Sequence, residues 1–390
     1  ITKRNIVMPD FIGGLSFAGN GGLNDGKGFY LGQDSNGGIS ILDTWKRELD
    51  RTNSNFVVMG TSGVGKSTAV KHILLNEYMQ GTKIIVIDPE REYKTMCENL
   101  GGSWVNVIGK NGQIINPLQI RPVPTDDNES MLEEQTENIG AMALHIQTIR
   151  PFFKLLFPDI TQNQLSILTT NLEETYNKFD IYWETDITKI PNDKFPIMKD
   201  LYDNVTKNVK KADKEYIADY KIVQGLLRDI AIGADSDIFN GYTTVNDTSK
   251  CVVLDTFSLQ NSDERIKKAQ YYNILTYCWE QISKNRKEKV LLACDEAYLM
   301  IDTEVPQSLI FLRNIAKRCR KYNAGILIIS HSVVDFLDNS IKQYGQAILD
   351  MACYKILMGA DGKNLEELKE LYKLTEAEED LLYSRQMGKA

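Results

Sequence analysis

The chain has 390 residues, of which 42% are apolar and 25% are charged, with a formal net charge of −8. This balance is that of a globular protein with a sizeable core, and it excludes a disordered chain. The acidic charge argues against a chain dominated by nucleic-acid binding, and the lack of an H-E-x-x-H motif argues against a zinc enzyme.

Two short strands are predicted near the amino terminus. The runs 29–34 and 38–43 are rich in strand-forming residues, and Ser35-Asn36-Gly37 between them is typical of a turn. We expect a hairpin here, within a β-rich lead-in of residues 1–54.

A phosphate-binding loop is the strongest motif of the chain. Residues 60–68 read GTSGVGKST and match the pattern G-x-x-x-x-G-K-[ST]. The apolar run 55–59 predicts a strand before the loop, and the spacing of apolar residues from 66 to 79 predicts a helix after it. Glycines let successive backbone N–H groups surround an anion, and the helix adds the positive end of its dipole. We therefore predict that ATP binds here, with Lys66 on the β- and γ-phosphates and Ser67 on Mg²⁺. The residues predicted to bind the nucleotide are Gly60, Thr61, Ser62, Gly63, Val64, Gly65, Lys66, Ser67 and Thr68.

A second segment of interest follows the next strand. Residues 83–88, KIIVID, predict a buried parallel strand, and Pro89 to Tyr93 predict the start of a helix. Because ligands bind at the carboxyl ends of parallel strands, Asp88 and Glu90 are predicted to face the γ-phosphate. Glu90 is the second candidate for activating the attacking water, and capping of the helix is an equally good account of it.

The middle of the chain has a different character. Between residues 125 and 245 the strand-like runs disappear and helical periodicity dominates, with a capping box at Thr161 and Gln164. We predict an all-helical insert of about three to six helices, with a hairpin-like stretch at 239–245 returning the chain to the core. The predicted domains are the first part of the core with its lead-in (1–124), the helical insert (125–245) and the second part of the core (246–390).

Alternating strands and helices return after residue 250. Strands are predicted at 251–255, 290–295, 325–330 and 353–358, and helices at 264–283 and 307–322. Two short helices are predicted in the tail, the second capped by Thr375. This order predicts an α/β fold with a mainly parallel sheet.

The strand 290–295 ends in Asp295, and Glu296 follows it. An acidic strand end is the usual partner of a phosphate loop at the metal, so we predict that Asp295 and Ser67 hold Mg²⁺. Glu296 is the first candidate for the base that activates water. We expect the strand 251–255 to lie between the phosphate-loop strand and the Asp295 strand. This additional strand, with the Asp-Glu pair, indicates the RecA-like branch of the phosphate-loop ATPases.

Two further groups are candidates for catalysis. His331 follows the strand 325–330, where a polar residue senses the γ-phosphate in RecA-like motors, and a purely structural histidine is the alternative. The helix around 311–321 is basic, and Arg318 and Arg320 are candidates for an arginine inserted into the site of a neighbouring subunit. A solvated helix face and contact with nucleic-acid phosphates remain open for both arginines.

Taken together, these motifs resemble the large ATPase of type IV secretion and conjugation systems, the fourth VirB protein and its TraC-type relatives. Besides the phosphate loop, the resemblance rests on IDPEREY (87–93), INPL (115–118), FNG (239–241), CDEAY (294–298) and RKYNAG (320–325). That family carries a RecA-like domain with an all-α insert, after an N-terminal domain that contacts the membrane and the channel. The resemblance implies that this chain, which does not begin with Met, is the C-terminal part of a longer protein.

The resemblance also implies a function. It implies Mg²⁺-dependent hydrolysis of ATP to ADP and phosphate, driving pilus assembly or substrate translocation. It implies a homo-oligomer, often a hexamer, bound peripherally at the cytoplasmic face of the inner membrane, with other secretion-system ATPases and channel components as partners. Many relatives carry Thr-Gln where this chain has Ser330-His331, which leaves the sensor role of His331 open.

Two other functions fit parts of the sequence. A DNA-translocating ATPase of the HerA/FtsK type would share the core but would need a basic pore, and the net charge and the helical insert argue against it. Contact with DNA itself stays open. A nucleotide-dependent scaffold with little turnover would be expected to lack one of Lys66, Ser67, Asp295 and Glu296, all of which are present.

Overall fold

The computed structural model describes residues 21–108, 112–123, 141–245 and 248–390. They belong to two compact units, Ile1–Asn53 and Ser54–Ala390. The predicted boundaries of the helical insert, at residues 124–125 and 246, lie outside the described residues, so the domain limits stay predictions.

The first unit contains the predicted hairpin. Its two strands, β1 (Phe29–Gln33) and β2 (Ile39–Leu42), pair antiparallel. Asp34 stabilises the turn between them, because its Oδ1 accepts a hydrogen bond of 2.7 Å from the backbone N–H of Gly38. The turn sequence therefore acts as predicted.

The second unit is built on a seven-stranded sheet in which every neighbouring pair of strands is parallel. Its strands are β3 (Phe56–Met59), β4 (Lys83–Asp88), β5 (Ser103–Asn106), β6 (Cys251–Asp255), β7 (Val290–Cys294), β8 (Ala324–Ser330) and β9 (Tyr354–Leu357). They lie in the order β5-β6-β4-β7-β8-β3-β9. The five inner strands are buried along their whole length, as their unbroken apolar runs predict. The predicted α/β fold with a parallel sheet is confirmed.

The strand beside the phosphate-loop strand is not the expected one. β8 lies between β3 and β7, whereas β6 lies on the far side of β4. The prediction that the strand 251–255 separates the phosphate-loop strand from the Asp295 strand was wrong. Order along the chain does not say on which side of a sheet a crossover returns. The additional strand typical of RecA-like proteins is nevertheless present, as β8.

Helices connect these strands and predominate between residues 141 and 239. The α-helices are α1 (Lys66–Met79), α2 (Lys94–Asn99), α3 (Ala141–Leu156), α4 (Gln162–Lys178), α5 (Met198–Val209), α6 (Ile217–Ala231), α7 (Ser236–Phe239), α8 (Glu264–Ser283), α9 (Gln307–Arg318), α10 (Lys342–Met351), α11 (Gly362–Tyr372) and α12 (Glu376–Ser384). Short 3-10 helices span Ile187–Lys189, Asn192–Lys194, Phe257–Asn261, Ala297–Met300, Cys319–Tyr322 and Val334–Phe336. Within the described ranges, no helix combines the length and the apolar character needed to cross a membrane.

The segment from 141 to 239 is helical, as predicted. The capping box at its second helix is formed, because Thr161 Oγ1 accepts from the N–H of Gln164 at 3.3 Å and Gln164 Oε1 accepts from the N–H of Thr161 at 3.1 Å. The hairpin predicted at 239–245 is absent: Phe239 ends α7, and residues 240–245 form no strand. The turn residues Asn240 and Gly241 suggested a hairpin, but the stretch after α7 pairs with a distant segment instead, because the N–H of Thr244 donates to the carbonyl oxygen of Ile114 at 3.0 Å.

A buried polar cluster joins this helical segment to the core. The Arg121 guanidinium donates from Nε to Glu280 Oε2 at 3.0 Å and from Nη2 to Thr243 Oγ1 at 3.1 Å. Burial lowers the pKa of Arg121, and Glu280 opposes that shift. Burial and the nearby Arg121 charge lower the pKa of His145 to about 3. Arg121 thus ties the segment after INPL to α8 and to the stretch after α7.

Candidate active site

The phosphate loop connects β3 to α1. Gly63 has φ +82 and Gly65 has φ +103, a left-handed backbone that a side chain would strain. The helix begins directly afterwards, at Lys66. The loop therefore has the backbone that aims successive N–H groups at an anion, with the helix N-terminus behind it.

Two polar groups inside the loop suit a phosphate ligand. The Lys66 Nζ donates to the carbonyl oxygen of Thr61 at 3.1 Å, and Lys66 is only 9% exposed. Burial lowers the pKa of Lys66, while Glu296 and Asp295 act in the opposite direction. The buried Oγ1 of Thr61 has no hydrogen-bond partner among the described residues. A phosphate oxygen would satisfy both the ammonium and the hydroxyl.

The remaining loop residues differ in exposure. Ser67 is half-buried in the first turn of α1, and Thr68 is exposed beside it. Ser62 is exposed at the turn, whereas Gly60 and Val64 are buried.

Asp295 lies at the carboxyl end of β7 and is buried. Its Oδ1 accepts a hydrogen bond of 3.0 Å from the backbone N–H of Glu296. Burial first, and then the charge of Glu296, raise the pKa of Asp295 to about 7. A buried carboxyl group that is costly to ionise is one that a divalent cation would stabilise. Asp295 and the Ser67 hydroxyl offer oxygen ligands, the kind that Mg²⁺ prefers.

Glu296 has an unusual backbone and a defined partner. It adopts φ +44 and ψ 51, a left-handed conformation rare for a non-glycine residue, and it caps the 3-10 helix Ala297–Met300. Its Oε2 lies 2.9 Å from Nδ1 of His331. The structure therefore brings together two residues that were predicted separately, from two different strand ends.

The segment after β4 departs from expectation. No helix starts at Pro89, because α2 begins at Lys94 with Tyr93 at its N-cap, so the capping interpretation of Glu90 is wrong. Instead, the buried Asp88 carboxylate accepts from the N–H groups of Glu92 at 3.1 Å and Tyr93 at 2.9 Å, forming a turn. Burial raises the pKa of Asp88. Glu90 is exposed just beyond β4, next to the strand of Asp295.

Arg91 is a residue that sequence reasoning did not single out. It has φ +59, and its Nε donates to the buried Asp255 carboxylate at 2.8 Å. Its guanidinium lies over the ring of Phe257, 4.7 Å from the ring centroid. The available signal was a lone arginine among the acidic residues of DPEREY, but nothing local pointed to Asp255.

The chain's last residues also reach the loop. The N–H of Gly388 donates to the carbonyl oxygen of Val64 at 2.9 Å, and the N–H of Thr61 donates to the carbonyl oxygen of Gly359 at 2.9 Å. Both contacts join residues about 300 positions apart, and no sequence pattern predicted them.

Arg318 and Arg320 lie away from this loop. Arg318 ends α9 and Arg320 sits in the 3-10 helix just before β8, so both lie at the amino-terminal edge of the sheet. Asn55, at the start of β3, donates to the carbonyl oxygen of Ala316 at 2.9 Å, which places the end of α9 at that edge. The phosphate loop follows the opposite, carboxyl end of β3. The two arginines therefore do not reach the loop of their own chain, and a role in a neighbouring subunit stays a prediction.

The chain is similar to known proteins both in sequence and in structure. Residues 36–390 match the model of the TraG P-loop domain. The solved structure of VirB4 of Thermoanaerobacter pseudethanolicus is 42% identical, covers 94% of each chain and has a TM-score of 0.86. The plasmid coupling protein TrwB, solved in complex with ADP and Mg²⁺, is 12% identical with a TM-score of 0.55, covering 88% of this chain and 79% of that one. At that identity, TrwB shows likeness of fold.

Two curated proteins match by sequence. An uncharacterised protein of Bacillus anthracis is 25% identical over 94% of this chain, and TraC of Escherichia coli strain K12 is 21% identical over 86% of it. The chain spans 62% of the length of the first relative and 35% of the length of the second.

Proposed function

The chain is a P-loop ATPase domain that belongs to the TraG P-loop domain family, and from this premise we propose that its ATP hydrolysis powers type IV secretion or conjugation. ATP hydrolysis would drive pilus biogenesis or translocation of a substrate across the cell envelope. The 42% identity to a VirB4 over nearly the whole chain supports this choice among machines that use the same core.

One observation carries the catalytic part of the proposal. Lys66 follows the carboxyl end of β3, Asp295 and Glu296 follow that of β7, and β8 between them ends at Ser330. A buried cation, a buried carboxyl group and a half-exposed carboxylate thus lie along one edge of a parallel sheet, where ligands of such sheets bind.

The binding step uses the loop and the metal ligands. The backbone N–H groups of the loop hold the phosphates, and the Lys66 ammonium neutralises charge on the transferring phosphoryl group. Ser67 and Asp295 would hold Mg²⁺. When bound, Mg²⁺ neutralises the charge that develops on the phosphate oxygens.

The hydrolysis step needs a base for the attacking water. Glu296 accepts the proton as the water oxygen bonds to the γ-phosphorus and the bond to ADP breaks. Glu90, exposed beyond the neighbouring strand β4, is the second candidate for this role. Arg318 or Arg320 from a neighbouring subunit would stabilise the charge of the transition state.

The assembly and its location belong to the same proposal. The chain would work as a homo-oligomer, with a hexamer as the expected form, at the cytoplasmic face of the inner membrane. Other secretion-system ATPases and inner-membrane channel components would be its partners. Of the two arginines, Arg320 is exposed at its edge of the sheet, whereas Arg318 is buried, so Arg320 is the better placed to enter a neighbouring site.

The test is the ATPase rate per subunit as a function of protein concentration, with and without DNA, for the chain and for Lys66→Ala. We expect a rate that rises with concentration, is insensitive to DNA and disappears in Lys66→Ala. Strong stimulation by DNA would favour a DNA-translocating ATPase instead. Tight ATP binding without turnover at any concentration would favour a nucleotide-dependent scaffold.

A further inference from the structure

The side chain of His331 contacts the residue assigned as the base. Its Nδ1 lies 2.9 Å from Oε2 of Glu296, within hydrogen-bond distance. We propose that His331 is a positioning residue that orients the Glu296 carboxylate, and not a sensor of the γ-phosphate. This inference rests on the proposed hydrolysis of ATP with Glu296 as the base.

The backbone sets up the contact. β7 and β8 are adjacent, with Cys294 opposite Ile328, so the residues that follow them emerge side by side at the carboxyl edge of the sheet. Glu296 reaches its partner from a left-handed backbone, with φ +44 and ψ 51. Such a backbone is unfavourable for a non-glycine residue, so the surrounding structure must hold it. Strain of this kind is concentrated at functional sites.

The ring of His331 is held from a second side. The ring of Tyr298 packs edge to face against it, with centroids 4.7 Å apart and an interplanar angle of 79°. The preceding Ser330 hydroxyl accepts from the N–H of Ser332 at 3.2 Å and donates to its carbonyl oxygen at 3.1 Å, which constrains the backbone around His331. The imidazole is therefore oriented toward Glu296 although His331 is exposed to solvent.

The chemistry of the imidazole then limits what else it contacts. A carboxylate only accepts hydrogen bonds, so the Nδ1 that faces Glu296 carries the proton. In the neutral ring, Nε2 is then an acceptor and does not bind a phosphate oxygen, which is an acceptor too. Neutral His331 therefore serves Glu296 and is unsuited to sense the γ-phosphate. A ring protonated on both nitrogens would reach both groups, and the affinities for an ATP analogue and for ADP distinguish the two cases.

The tautomer can be measured without turnover. In the full chain with ¹⁵N-labelled histidine, the ring nitrogens of the three histidines are distinguished by NMR, and His331→Gln identifies the signals of His331. We expect Nδ1 of His331 to carry a proton, a preference lost in Glu296→Ala and unchanged in the matched control His72→Ala on α1. A ring protonated only on Nε2 would overturn the proposal.

Kinetics separate positioning from sensing. His331→Ala should lower kcat by about 10- to 100-fold, because a misplaced base loses its geometry. The ratio of affinities for a non-hydrolysable ATP analogue and for ADP should not change. His331→Gln should recover much of kcat, since an amide N–H also donates to the carboxylate. A selective loss of affinity for the ATP analogue in His331→Ala would instead identify a sensor. If the unmodified chain shows no Lys66-dependent turnover, the proposed hydrolysis fails, while the tautomer still decides whether His331 and Glu296 are paired.

Discussion

The carboxylate of Asp295 accepts a hydrogen bond of 3.0 Å from the backbone N–H of its neighbour Glu296. The two adjacent carboxyl groups nevertheless have different surroundings. Asp295 is buried at the strand end, whereas Glu296, turned by its left-handed backbone, is half-exposed and contacts His331. Asp295 is thus suited to bind a metal ion, and Glu296 is suited to contact a water molecule.

Glu296→Gln should therefore keep nucleotide binding and lose turnover. The amide preserves the shape of the side chain but does not accept a proton, so we expect kcat to fall by about 100-fold or more with an unchanged affinity for ATP. Steady-state kinetics and nucleotide titration measure the two quantities. The matched variant Glu90→Gln should have a small effect. If Glu90→Gln is the more damaging of the two, the role of the base belongs to Glu90.

A second prediction concerns Arg318 and Arg320, which lie at the edge of the sheet opposite the phosphate loop. If they act in a neighbouring subunit, Arg318→Ala and Arg320→Ala should lower turnover by about 1000-fold where subunits assemble. The rate of a dilute monomer should change little. Rates measured across a concentration series, with sedimentation to count subunits, give the comparison. Lys317→Ala is the control, because Lys317 is exposed near the end of α9. A similar loss in the monomer would contradict a role between subunits.

A third prediction concerns the buried pair of Arg121 and Glu280. Arg121 is 4% exposed, whereas the Glu280 side chain is 24% exposed. Glu280→Ala leaves a buried guanidinium without its carboxylate and should lower the free energy of unfolding by about 3 kcal/mol or more. Arg121→Met leaves the Glu280 carboxylate without its partner, but that carboxylate reaches water. We therefore expect a smaller loss of unfolding free energy than for Glu280→Ala. Urea denaturation measures both.

The exposed ion pair Lys199–Asp203 supplies the control for that experiment. Lys199→Ala should leave stability nearly unchanged, because solvent screens exposed pairs. A larger loss in Arg121→Met than in Glu280→Ala would mean that the cluster depends on packing of the arginine side chain more than on its charge.

The features that the sequence predicted well depend on local patterns. The phosphate loop needs glycines at fixed positions, the hairpin needs a turn residue such as Asp34, and the strand 290–295 ends in a carboxylate that the pattern itself contains. In each case the residues that decide the structure are within about ten positions of one another. Local information was sufficient there.

The features that the sequence missed depend on contacts between distant segments. Which strand lies beside β3 is decided by crossovers that a linear pattern does not record. The helix predicted to start at Pro89 begins only at Lys94, because the buried Asp88 carboxylate accepts the N–H groups of Glu92 and Tyr93 and forms a turn first. The pairing of Arg91 with Asp255, and that of His331 with Glu296, join residues 164 and 35 positions apart.

The last prediction concerns Asp295 and pH. The pKa of this carboxyl group is raised from its ordinary 3.8 to about 7 in the folded chain. The folded chain therefore holds the proton more tightly than the unfolded chain, and stability falls as pH rises from about 4 to about 7, then levels off. Above that range the ionised group lowers the free energy of unfolding by roughly 4 kcal/mol.

Asp295→Asn keeps the shape of the side chain and removes its charge. Without Mg²⁺ it should therefore stabilise the chain at pH 8 and clearly less at pH 5. Mg²⁺ binds the carboxylate and not the amide. Adding it should therefore reduce the difference in stability between Asp295→Asn and the unmodified chain at pH 8. Thermal unfolding at both pH values, with Mg²⁺ and with EDTA, measures these effects. Equal stabilisation at pH 5 and pH 8 would show that Asp295 does not titrate between them, and its burial would then matter through packing alone.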